Sequence, residues 1–141
     1  MTKQVFINLP VSDLKKSTAF YEALGFTKND DFSDENATAL SWSDTIVLMI
    51  LERDFYKSFI KDKNVIDAKT TSGVLLALSL ESKEAVQEFA DTAKANGGDY
   101  YTAGPEIPDD VMFGYEVSDP DGHVWEPVWM NPEFTSGEQK D

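Results

Sequence analysis

Hydrophobic and polar positions alternate from Gln4 to Leu9, with Val5, Ile7 and Leu9 on one face and Gln4, Phe6 and Asn8 on the other. That period is the signature of a half-buried β-strand, and Pro10 is expected to end it. Ser12 or Asp13 can then cap a helix. Its apolar positions Leu14, Phe20, Tyr21 and Leu24 fall on one stripe, and Gly25 supplies the stop. Three short strands follow, at Phe26 to Asp30, Ala37 to Trp42 and Thr45 to Leu51, the last two separated by the turn Ser43-Asp44.

The same order then recurs. Val74 to Leu80 alternates, with Val74, Leu76, Leu78 and Leu80 on one face and Leu75, Ala77 and Ser79 on the other. Ser82 can cap a helix carrying Val86, Phe89, Ala90 and Ala93 at helical spacing, and Gly97-Gly98 ends it. Strands are expected at Asp99 to Ala103, Met112 to Val117 and His123 to Met130, with Asp119-Pro120-Asp121-Gly122 as a turn before the last. The pattern predicts an α+β chain of two βαβββ repeats. Each helix covers one face of its strands, and the two bare faces curl as a mixed sheet around a central cup. The 141 residues form a single domain: repeat one at about 3–52, a crossover at 53–72, repeat two at about 73–131 and a polar tail at 132–141. In the crossover, Phe55, Tyr56, Phe59 and Ile60 mark a short amphipathic helix.

Composition narrows the partners. The chain has 12 basic and 26 acidic residues, a net charge of −14, so nucleic acid and anionic membrane surfaces are repelled. No apolar run is long enough to span a bilayer, and the N-terminus lacks a signal peptide's apolar stretch. Cysteine is absent, which excludes disulfides and thiolate chemistry and fits a cytoplasmic protein. The acidic group Asp30, Asp31, Asp34 and Glu35 has neither the spacing nor the glycine of an EF-hand loop and reads as a solvated turn. The crossover is locally positive: Arg53, Lys57, Lys61, Lys63 and Lys69 outnumber Asp54, Asp62 and Asp67. It is expected to be an ordinary packed connection; a lid, an anion-attracting rim or a subunit contact are the functional alternatives.

Leu9-Pro10-Val11-Ser12-Asp13-Leu14, Phe20-Tyr21-Glu22-Ala23-Leu24-Gly25-Phe26, and Asp119-Pro120-Asp121-Gly122-His123 with Glu126 resemble the vicinal oxygen chelate superfamily. That superfamily includes glyoxalase I, extradiol dioxygenases, and fosfomycin- and bleomycin-resistance proteins. The resemblance runs over about residues 3–131 and is nearest to a bacterial glyoxalase-like subgroup. It implies a homodimer and, in metal-using members, a divalent ion held by two side chains from each repeat. The corresponding positions here are Phe6, Met49, Leu75 and Glu126. Only Glu126 is a good ligand, so the resemblance implies that no metal cofactor is held.

Strand parity puts Glu126 on one face with Val124, Val128 and Met130, and turns His123, Trp125 and Trp129 to the other, where His123 is a turn or core residue. Pro127 should produce a bulge beside Glu126. The expected ligand site comprises Phe6, Asn8, Trp42, Met49, Leu75, Phe113, Tyr115 and Glu126, and suits a mainly apolar molecule with a donor group. The expected function is metal-free binding of a small molecule. The alternative is a glyoxalase-like lyase or isomerase, or a dioxygenase-related enzyme, with Glu126 as general base, its pKa raised by Val124, Val128 and Leu75. Glu126 could instead be a structural carboxylate paired with a lysine.

Overall fold

The computed structural model describes residues 2–135. Strand β1 (Val5–Val11), helix α1 (Leu14–Ala23) and strands β2 (Thr27–Asn29), β3 (Ala37–Ser41) and β4 (Ile46–Glu52) form the first βαβββ unit. Its sheet has the order β1-β4-β3-β2, with β1 and β4 parallel and the other pairs antiparallel. A short helix α2 (Arg53–Lys57) opens the crossover. The second unit comprises β5 (Leu75–Ser79), α3 (Lys83–Ala95), β6 (Asp99–Tyr101), β7 (Met112–Gly114), β8 (Glu116–Ser118) and β9 (Val124–Met130). Its sheet runs β5-β9-β8-β6, with β7 also on β9. The last described turn, α4, is Pro132–Thr135, and the rest of the polar tail lies outside the described residues.

The helices start where the capping residues predict. Asp13 accepts from the Lys16 backbone N–H at 3.1 Å, and Ser82 accepts from that of Ala85 at 3.0 Å, each satisfying one orphan donor of a first turn. Ser12 is not the cap; its own N–H donates to the Asp121 carboxylate of the other unit at 3.1 Å. Pro10 does not end β1. The ladder continues through it to Val11, which is tolerated because β1 is an edge strand with a neighbour on one side only.

Two further expectations are corrected. The segment Met112 to Val117 is two strands, β7 and β8, interrupted at Tyr115 opposite Pro127. No residue is inserted there, because the pairings of Gly114 with Val128 and Val117 with Trp125 keep one register. Pro127 therefore weakens the ladder without a bulge: only a long 3.4 Å bond from the Tyr115 N–H to the Pro127 carbonyl remains.

The helix-covered faces of both units merge into one core of Leu9, Val11, Phe20, Tyr21, Leu48 and Ile50 with Leu78, Phe89, Val117 and Trp125. Each large side chain of this kind contributes about 2–3 kcal/mol by leaving water. The crossover is tied down at both ends. The Arg53 guanidinium donates to the Val65 and Ile66 carbonyls at 3.2 and 3.0 Å. Gly122, at φ +97°, lies so close to Ala68 and Lys69 that a Cβ would sit 2.9 Å from their backbone atoms. No described helix is long and apolar enough to cross a membrane.

Candidate functional site

The open face of the second unit holds a hollow of about 1060 Å³. Its floor is the face of β5, β9 and β8 turned away from α3, and strand alternation decides what appears there. Glu126, Val128 and Met130 come from β9, Ala77 from β5 and Glu116 from β8. Met112 and Gly114 of β7 extend it, and the irregular segment 102–109 lines one side. Apolar lining from Ile107, Met112, Val128 and Met130 surrounds the carboxyl groups.

Two of these carboxyls form a pair. The register that joins Val117 to Trp125 places Glu116 directly opposite Glu126 on the next strand, on the same face. The two carboxyls are close enough to influence each other, and Glu116 responds to its neighbour. Partial burial, the proximity of Glu126 and that group's charge push the Glu116 pKa from the ordinary 4.5 up to about 7. The lysine partner considered for Glu126 is not found. Among the described residues, the ion pairs are Lys28 with Asp30 and Lys94 with Asp99, both at the surface.

The pair has a consequence for stability. Folded protein retains the Glu116 proton up to about pH 7, whereas the unfolded chain loses it near 4.5. Folded protein therefore binds more protons in this window, and stability falls as pH rises through it. Because the group is partly open to water, the expected loss is screened to about 1 kcal/mol. Thermal melts at pH 5 and pH 8 should show this loss in the parent protein and a smaller one in Glu126→Gln, which removes the neighbour's charge but not the burial. An unchanged pH dependence in the variant would separate the two carboxyls.

Of the residues expected to form the site, Phe113, Tyr115 and Glu126 line the hollow. The Tyr115 hydroxyl is turned to α3, donating to Gln87 at 2.7 Å. Trp42 does not line the hollow. It packs into the core against Phe26 and Phe89, at ring distances of 4.9 and 6.2 Å, because it shares the parity of Leu40 and Thr38. Phe6, Asn8 and Met49 share the open face of the first unit, where Phe6 pairs with Val47 and Asn8 with Met49, and none of the three lines the hollow. Leu75 is next to Val124 on the second unit's open face but outside the hollow wall. Phe6 is 55% and Leu75 58% exposed. Sequence reasoning missed Glu116 and the segment 102–109.

His123 is buried, and its Nε2–H donates to the Pro10 carbonyl at 2.7 Å. It belongs to a clamp between the units. The Asp119 carboxylate accepts from the Tyr21 hydroxyl at 2.6 Å and from the His123 and Asp121 N–H groups at 2.8 and 3.0 Å. Trp125 Nε1–H donates to the Tyr21 oxygen at 2.9 Å. Burial raises the Asp119 pKa from its ordinary value, and burial beside Asp119 raises that of Tyr21 well above 10.0.

No group of three or more His, Cys, Asp or Glu among the described residues is placed to hold a metal ion. The donor set therefore does not fit the divalent ion of metal-using relatives. At the acidic turn, the Asp34 carboxylate accepts from the Asn36 and Ala37 N–H groups, a local turn contact. Lys57, Lys61 and Lys63 are absent from the hollow wall; the Lys57 ammonium donates to the Lys63 carbonyl instead.

Residues 3–126 match the model of the Glyoxalase/Bleomycin resistance protein/Dioxygenase superfamily. Among solved structures, the chain is similar to hypothetical protein SA1046 from S. aureus, at 23% identity and a TM-score of 0.74 over 92% of this chain and 95% of that one. It is similar to the bleomycin resistance determinant encoded on transposon Tn5, at 24% identity and 0.60 over 92% and 98%. It is also similar to the fosfomycin resistance protein FosX from Listeria monocytogenes, solved with Mn(II) and sulfate, at 18% identity and 0.67 over 94% and 97%. No curated protein matches.

Proposed function

The chain belongs to the glyoxalase/bleomycin resistance protein/dioxygenase superfamily, and on that basis we propose that it is a cytoplasmic small-molecule-binding protein that takes a mainly apolar ligand without a metal ion. The observation that carries this reading is the chemistry of the hollow. It is large enough for a drug-sized molecule, its lining is mostly apolar, and its polar floor is a carboxyl pair. The resemblance to metal-using relatives leaves Phe6, Met49 and Leu75 where ligands would stand, and neither a phenyl ring, an isobutyl group nor a thioether binds a hard divalent ion. Purified protein should contain far less than one equivalent of zinc, nickel, iron or manganese by elemental analysis, and chelator should not shift its melting temperature. Stoichiometric metal would overturn the reading.

The reading includes a homodimer. The hollow has walls from the second unit only, while Phe6, Asn8 and Met49 present a matching open face on the first unit. Half-exposed phenylalanine and leucine on two such faces are stabilised by mutual burial. A second copy can bring its first-unit face over the hollow and complete the cup.

The carboxyl pair also favours one enzymatic reading. A glutamic acid with a pKa raised to about 7 beside a second carboxyl is suited to moving a proton near neutrality, as a lyase or isomerase requires. Mass spectrometry of a ligand recovered after incubation separates the two. Binding returns it unchanged, whereas catalysis returns a rearranged or cleaved product that Glu126→Gln no longer forms.

A further inference from the structure

We propose that the hollow selects organic cations, seating a protonated amine between the carboxyl groups of Glu116 and Glu126 and the ligand's apolar body against Met112, Val128 and Met130. The inference rests on the binding function proposed above and narrows it to one ligand class. Every charged side chain in the hollow wall is acidic: Glu106 and Asp109 from the segment 102–109, Glu116 and Glu126 from the floor. Two carboxyls directly opposite on neighbouring strands cost stability when both are ionised. Neither meets a lysine or arginine among the described residues. An ammonium group set between them gains attraction from both, in surroundings where apolar walls strengthen it relative to water. The net charge of −14 also draws cations toward the protein and repels anions. A bare metal ion is the poorer occupant, since no third ligand is in place.

Below about pH 7, where Glu116 holds its proton, binding of a cation must release that proton. The other titratable groups in the wall on the pair's side are Glu106 and Asp109, since the Tyr115 hydroxyl is turned to Gln87; β5 contributes only Ala77 to the wall, and β7 only Met112, Phe113 and Gly114. Amine affinity should therefore weaken as pH falls below about 7, the value to which Glu116 is raised, approaching about tenfold per pH unit.

The test is a matched set of probes: 4-phenylbutylamine, 4-phenylbutanol and 4-phenylbutyrate, titrated by calorimetry at pH 8, with backbone NMR shifts locating each in the hollow. The amine should bind about tenfold or more tightly than the alcohol, and the carboxylate least well. In Glu116→Gln/Glu126→Gln the amine should lose about tenfold, while the alcohol stays within about twofold. Gln keeps the shape of Glu, and circular dichroism checks the fold. Equal binding of amine and alcohol, or an amine preference that survives the double substitution, overturns the cation inference and leaves the binding function standing. Failure of all three probes to shift the hollow overturns both.

Discussion

Asp119→Ala should destabilise the protein by about 3–5 kcal/mol in urea unfolding at pH 7, the largest single effect expected outside the aromatic core. Asp119 is 3% exposed and accepts three hydrogen bonds, from Tyr21, Asp121 and His123. Truncation leaves the Tyr21 hydroxyl and two N–H groups of the turn without their acceptor in a site closed to water. The loss also reaches across the units, because Tyr21 is in α1 and Asp119 in the turn before β9. Asp119→Asn keeps one acceptor oxygen and should cost less, about 1–3 kcal/mol, and Tyr21→Phe about 1–2 kcal/mol. A loss below about 1 kcal/mol for Asp119→Ala would mean that water enters and the clamp is not closed.

Phe6→Asp and Leu75→Asp should each leave the monomer folded and abolish dimerisation, weakening association by about a hundredfold or more. Both side chains are more than half exposed in the single chain, so a charge there disturbs little of the core. In a dimer each would be buried against a second apolar face, where an unpaired carboxylate costs several kcal/mol. Sedimentation equilibrium reads the outcome directly: parent protein at twice the chain mass, variants at the chain mass. If the parent is a monomer, the cup has one wall and the first-unit face needs another explanation. The Asp variants should also bind hollow ligands more weakly, since the second wall is lost with the partner.

Much of this architecture is legible in the sequence because its periodicities are clean. Val86, Phe89, Ala90 and Ala93 are all buried on one stripe of α3. The alternation in Val74 to Leu80 correctly separates Leu76 and Leu78 from the open side occupied by Leu75 and Ala77. Parity also places Glu126 on the open face and His123 in the interior.

Aromatic character alone suggests a site role for Trp42, whereas alternation with Leu40 turns it toward the core. Pro10 stops a central strand but not an edge strand, and the strand order is not visible in a local window. Glu116 was missed because its importance comes from register: only after the turn at Asp119 to Gly122 is fixed does it stand opposite Glu126. The segment 102–109 has no period at all, so nothing local could place it beside the hollow.

The central claim is that the hollow binds its ligand through carboxyl and apolar groups of the chain, with no metal between. The most direct measurement is the calorimetric isotherm of 4-phenylbutylamine, taken with protein dialysed against chelator and with the same protein resupplied with zinc or manganese. The account predicts one isotherm for the stripped protein, unchanged within about twofold on adding metal. Binding that appears only when metal is restored would contradict it.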